Sequence, residues 1–153
     1  MGLIKGVVTQ GGADTTTQGV IDTNLTTDGK SAWQITNFVI CWANMKSSAG
    51  VDSLLEGILS TQVTTATTFN QSEEIARVEY TGQLQGVAAN FLVAEQIKQA
   101  VFIPADRITV QPFLYVTAAS AATGQANVLY YAIEYEIVKL SDNEVLRLAL
   151  GGA

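Results

Sequence analysis

At 153 residues the chain fits one domain, and folding at this size buries about two-thirds of the unfolded surface, enough for a core without disulfide or metal staples. Its 8 Lys and Arg are scattered singly against 14 Asp and Glu, for a net charge of −6, so no cationic cluster is available to neutralise phosphates and direct nucleic-acid binding is not expected. A single cysteine and no histidine exclude an intrachain disulfide, a thiolate metal cluster, an imidazole metal site and any Ser-His-Asp or Cys-His arrangement.

Charged residues make up 14% of the chain beside 48% hydrophobic, well under the quarter or so usual for soluble domains. Part of this uncharged surface is expected to be covered by copies of the chain or by neighbours; solvation by Thr, Gln, Asn and Ser is the plainer alternative. No basic region followed by an apolar stretch opens the chain, so a signal peptide is not expected. No apolar run approaches the roughly 20 residues that span a bilayer. Synthesis and assembly in a cytosol follow as the expectation.

Residues 6–31, rich in Gly, Thr, Gln and Asp, carry few apolar positions. They predict an N-terminal arm and loops over 1–30, with at most short strands at Gly6–Thr9 and Gly19–Thr23, ahead of a β domain over 31–153. Ser31–Met45 is the first strong strand. In it Trp33, Ile35, Val39 and Cys41 alternate with Phe38, Ile40 and Trp42, so both faces are apolar and both are expected to be buried. Cys41, inside this run, is expected to be a buried, inert thiol. Lys46–Gly50 is a turn. Val51–Gln62 is ambiguous, because Leu54, Leu55, Ile58 and Leu59 have helical spacing while Gly57 weakens a helix. Thr61–Thr68 is β-prone through its threonines and Val63.

Glu73–Thr81 alternates Ala76, Val78 and Tyr80 with Arg77, Glu79 and Thr81, the pattern of a half-exposed strand. Val87–Ala100 allows either a helix or a pair of strands. Val101–Ile103 leads through a turn at Pro104-Ala105-Asp106 into Arg107–Ala118, where Pro112 implies an edge, a bulge or a bend. Thr123-Gly124 supplies a turn before Val128–Leu140, the clearest strand, with Leu129, Tyr131, Ile133, Tyr135 and Ile137 on one face and Ala132, Glu134 and Glu136 on the other. Ser141 and Glu144 have capping-box spacing and open a short helix over Asp142–Leu150, stopped by Gly151-Gly152. The whole reads as all-β: a single jelly roll or β-sandwich of about eight strands with a short C-terminal helix.

Paired carboxylates are the remaining catalytic option. Glu73 and Glu74 are adjacent, hence on opposite faces of a strand. Glu134 and Glu136 share a face at a spacing that a glycosidase pair tolerates, yet a solvated strand face explains them. Asp22, Asp28, Asp52, Asp106 and Asp142 fall in turn or cap contexts, without the spacing of a calcium loop. Gly11-Gly12 and Gly151-Gly152 lack a phosphate-loop frame. Trp33, Phe38 and Trp42 could form a sugar-stacking platform, but Trp33 and Trp42 are nine apart, on opposite faces of a regular strand, which suits core plus interface better. No catalytic, cofactor or metal residue is therefore assigned, and an enzyme is the class least expected.

The long C-terminal strands Arg107–Ala118 and Val128–Leu140, joined by a small-residue loop, resemble the closing strands of small single jelly-roll viral capsid proteins, across about residues 31–140. The resemblance implies a structural protein of a virus particle, a shell subunit that assembles through its surface with copies of itself and with other virion proteins. It also implies core-forming strand faces, loops that meet neighbours and an arm that ties subunits together. A fibre, tube or tail component and a carbohydrate-binding sandwich are the other classes that fit.

Overall fold

The computed structural model describes residues 1–25, 30–43, 52–62, 74–85, 91–100 and 108–151. Nine strands and one helix follow in order: β1 (Gly2–Thr9), β2 (Thr17–Asp22), β3 (Ser31–Ala43), β4 (Asp52–Ser60), β5 (Glu74–Gln85), β6 (Phe91–Ala100), β7 (Ile108–Thr109), β8 (Phe113–Ala121), β9 (Val128–Lys139) and α1 (Asp142–Gly151). They form a four-stranded sheet in the order β1-β9-β3-β7 and a five-stranded sheet in the order β2-β8-β4-β5-β6. All pairs are antiparallel.

The pairings define the wrapping. β1 pairs with β9, β2 with β8, β3 with β7 and β4 with β5, so the chain is a long antiparallel ribbon folded at β4–β5. Successive ribbon pairs alternate between sheets, which is the jelly roll. β6 is an addition on the outer side of β5.

The core lies between the sheets. Trp33, Ile35, Phe38, Ile40 and Trp42 from β3 and Leu129 and Ile133 from β9 meet Leu55 and Leu59 from β4, Ala76 and Val78 from β5, and Leu114, Val116 and Ala118 from β8. Gly57 lies directly against the facing sheet. A Cβ there would stand 2.7 Å from Ile40 Cδ1 and 3.3 Å from Leu129 Cδ2, so the glycine that weakens a helix is the residue the sandwich requires at this point. β4 is accordingly a strand, and the helical spacing of its leucines carries no weight against pairing on both of its edges.

Four expectations need correction. First, the N-terminal segment is more than an arm with short strands: β1 pairs with β9 from Gly2 to Thr9, β2 pairs with β8 from Thr17 to Asp22, and Val8 and Ile21 belong to the core. Its glycines are tolerated because tyrosines cover them; the ring of Tyr131 lies against Gly6 and that of Tyr135 against Gly2, each directly across the pair. Second, β3 is not buried on both faces. A bulge between Ile35 and Asn37 inserts one residue, so that Trp33 and Ile35 point to the same side as Phe38, Ile40 and Trp42. Both tryptophans are thus buried in the core, 2% and 6% exposed, and Trp33 stacks on Tyr135 with centroids 3.8 Å apart. Third, the same shift turns Val39 outward, 51% exposed, and Cys41 is exposed, not buried.

Fourth, Arg107–Ala118 is not one strand. Pro112 separates β7 in one sheet from β8 in the other, and its carbonyl accepts from Thr23 N–H (3.0 Å) and Thr23 Oγ1 (3.0 Å). A residue without an N–H suits such a crossing, where the ladder must break. Within Val87–Ala100, residues 91–100 are a single strand. The capping box forms as expected: Glu144 Oε2 accepts from Ser141 N–H and hydroxyl, both at 2.8 Å. The turn expected at 46–50, the run from Val63 to Thr68 and residues 101–107 lie outside the described residues.

Candidate functional site

Three arrangements of side chains stand out from the sandwich. The first is a charge cluster on the face of the five-stranded sheet that points away from the core. Strand alternation puts Leu55, Gly57 and Leu59 of β4 inward, which leaves Glu56 and Ile58 on the other side, with Arg77 opposite Ile58 and Glu79 opposite Glu56. That side is closed to solvent here: Arg77 is 0% and Glu56 1% exposed, and Glu74 is buried. Arg77 grips Glu74 with Nε (3.2 Å to Oε2) and Nη2, and its Nη1 reaches Glu56 Oε2 at 3.0 Å and Glu79 Oε1 at 3.4 Å. Burial pushes the Glu56 carboxyl up to about 7; the Arg77 guanidinium opposes this, and the charges of Glu79 and Glu74 add to it. The sequence pattern placed Arg77 and Glu79 on a solvated face, so this cluster was missed. Its only trace is an unusually apolar partner strand, where Glu56 stands alone among Leu54, Leu55, Ile58 and Leu59.

The second arrangement ties two loops at one end of the sandwich. Asp14, at φ 52°, accepts at Oδ1 from Thr123 N–H (2.9 Å), Thr123 Oγ1 (2.6 Å) and Ser120 Oγ (3.2 Å), and at Oδ2 from Gly124 N–H (2.9 Å). Beside it the Gln10 amide accepts from Asn127 N–H (2.9 Å) and donates to Ser120 Oγ (3.0 Å) and to Thr15 O. Burial raises the Asp14 carboxyl, but the four donors outweigh it and hold the group below its ordinary range. Every oxygen is satisfied from within, so the geometry is that of a clamp and leaves no open ligand position. Asp14→Ala is expected to cost about 1–3 kcal/mol, because Thr123 and Gly124 N–H lose their acceptor, and to raise local amide exchange at residues 120–127; unchanged urea stability would show that the clamp contributes nothing.

The third is the face of the four-stranded sheet that points away from the core. Cross-strand rows run Val7–Tyr130–Cys41, Lys5–Ala132–Val39 and Leu3–Glu134–Asn37. Leu3, Val7, Val39 and Tyr130 are each between 50% and 54% exposed. Val7, Tyr130 and Cys41 form one apolar row with Ala132 and Val39 beside it, while Lys5 and Glu134 set Leu3 apart; single scattered residues would be the ordinary finding.

The carboxylates considered for catalysis do not converge. Glu134 and Glu136 lie on this third face, opposite Asn37 and Gln34, while Glu74 is bound to Arg77 on the other sheet. Glu73, Asp28 and Asp106 lie outside the described residues. Asp22 accepts from Asn24 N–H at 2.8 Å as a turn residue, Asp52 opens β4 and Asp142 opens α1. Gly11-Gly12 lies in the loop between β1 and β2, and Gly151 ends α1. Among the described residues no group of three or more His, Cys, Asp or Glu could hold a metal ion. Also among them, no helix is long and apolar enough to cross a membrane.

The fold and these surfaces define an all-β jelly-roll domain. Comparison with protein-family models, with curated proteins and with solved structures finds no match.

Proposed function

We propose that this chain is a structural subunit that builds an assembly by burying its exposed strand surface, and that the assembly is the shell of a virus particle. The observation that carries the reading is the outward face of the four-stranded sheet, where Val7, Val39 and Tyr130 are about half-exposed and lie in neighbouring cross-strand rows. Keeping such an area in water is unfavourable by roughly 25 cal/mol per Å², a loss that contact with neighbouring subunits removes. The jelly roll is an architecture that capsid proteins share with lectins and cupins, and a fold alone does not decide among them. The absence of histidine speaks against the cupin. The burial of Trp33, Phe38 and Trp42 speaks against an aromatic sugar platform. On this reading the partners are copies of the chain and other virion proteins, the location is the virion after assembly in a host cytoplasm, and no catalytic role is assigned.

Size-exclusion chromatography followed by negative-stain electron microscopy tests it. Closed shells or regular rings are the expected result. Tubes or fibres would keep a structural role and discard the shell. A monodisperse monomer at high micromolar concentration would overturn the reading and make a glycan screen the next step.

A further inference from the structure

We propose that the cavity between the start of β1, the end of β9 and the segment that follows β2 is a binding site for one uncharged sugar ring. The proposal goes beyond the assembly reading and does not depend on it. Ile137 belongs to the inward-facing series of β9, opposite Trp33 in register, yet it is 65% exposed, so the interior is open at this end. The opening is a cavity of about 270 Å³. That is just under the roughly 300–1,000 Å³ of pockets for drug-sized ligands, and it suits a single small ring.

The lining combines an apolar wall, Ile4 and Ile137, with the polar side chains of Asp22, Asn24 and Ser31. Asp22 Oδ1 accepts from Asn24 N–H at 2.8 Å, and Oδ2 has no partner among the described residues. The side chains of Asn24 and Ser31 make no hydrogen bond among those residues either. Trp33 lines the same cavity and is 2% exposed. Its Nε1 makes no hydrogen bond among the described residues and, unlike Trp42 Nε1, is not sealed from solvent. A nearly buried side chain thus turns a free donor toward the cavity, a few residues from a free carboxylate oxygen.

The aromatic rings decide against a cation. Tyr135 stands between Trp33, stacked at 3.8 Å, and Gly2, which lies against its ring from the other side. Neither ring offers an open face, and cation–π binding needs one; the edges carry the positive part of the quadrupole. The same covering rules out a flat stacking platform. An anion would meet the Asp22 carboxylate, with no Lys or Arg among the described lining residues to offset it. A wholly apolar ligand would leave that carboxylate and the indole N–H without partners. A pyranose answers each point, since its hydroxyls donate to Asp22 and accept from Trp33 while its C–H face lies on Ile4 and Ile137.

Saturation-transfer difference NMR on the full chain tests this with the methyl glycosides of glucose, galactose, mannose and N-acetylglucosamine. The method reads the ligand's own protons, so it serves a monomer and an assembly alike. At least one glycoside is expected to receive saturation, with a dissociation constant on the order of millimolar for a ligand of about a dozen heavy atoms. Asp22→Asn is expected to weaken binding by roughly tenfold, because a charged acceptor becomes a neutral one. Glu136→Gln, on the opposite face of the sheet, is expected to change nothing. Asp22 and Glu136 are both exposed, so circular dichroism should match the wild type in each variant. No transfer to any glycoside at roughly ten times that constant overturns the site. Equal binding by Asp22→Asn overturns it as well, by placing the sugar elsewhere. Transfer to butylammonium in place of the glycosides overturns the ligand class.

Discussion

Arg77→Met is expected to cost the domain about 3–5 kcal/mol at neutral pH, since removing one partner of a buried ion cluster leaves uncompensated charge in a site closed to water. Arg77 is 0% exposed and binds Glu74 through two nitrogens and Glu56 and Glu79 through a third. Methionine fills the volume, so lost packing contributes little and the loss reports charge. Three consequences separate this from a simple cavity. The deficit shrinks on acidification, because protonated carboxyls no longer need the cation. Adding Glu56→Gln to Arg77→Met recovers part of the loss, a coupling of about 1–3 kcal/mol between groups in contact. In a thermal melt the single variant falls by about 10 °C, at a few degrees per kcal/mol for a domain of this size. Urea denaturation at pH 5 and pH 8 measures the first two and a thermal melt the third, and a loss below about 1 kcal/mol at both pH values would show that the cluster does not hold the β4–β5 pair.

This cluster also marks where the sequence ceased to be informative. The all-β class, the clear face of β9 and the capping box at Ser141 and Glu144 were legible because each depends on neighbours two to four residues apart. The inner face of β3 was legible only in part. Its apolar residues stand at 33, 35, 38, 40 and 42, and the odd step across Thr36 and Asn37 is the mark of the bulge; read as unbroken alternation, it sent Trp33 and Trp42 to opposite faces and buried Cys41. The N-terminal strands were hidden because Gly2 and Gly6 offer no side chain, and their partners Tyr135 and Tyr131 lie about 130 residues away along a pattern that gives no pairing information. Alternation likewise distinguishes two faces but does not say which is wet, so Arg77 and Glu79 read as solvated. The exposed apolar rows of the four-stranded sheet were visible only as a low total charge; register was needed to bring Val7, Tyr130, Cys41 and Val39 together.

The second large effect is on the pH dependence of stability. Glu56 in the folded chain holds its proton up to about 7 against an ordinary value of 4.5, chiefly through burial, with Arg77 opposing and Glu79 and Glu74 reinforcing the rise. Arg77 of β5 reaches Glu56 Oε2 at 3.0 Å, with Glu74 and Glu79 held on the same guanidinium. The native state therefore binds more protons than the unfolded chain between those two values, and stability falls as pH rises through that window. The contribution is fully present below 4.5 and lost above about 7, and at about 1.4 kcal/mol per pH unit it amounts to roughly 3 kcal/mol. Asp14 acts in the opposite sense, since its carboxyl is lowered and its stabilisation disappears only as the pH drops below the ordinary carboxylate range. The two windows separate, so the slope between pH 5 and 8 belongs to the cluster. Glu56→Gln keeps an acceptor for Arg77 Nη1 without a titrating group, and is expected to flatten that slope and to equal or exceed the wild type above pH 7. Urea midpoints at half-unit steps from pH 4 to 8.5 measure it, and a variant that retains the wild-type slope would show that Glu56 is not the source of that slope.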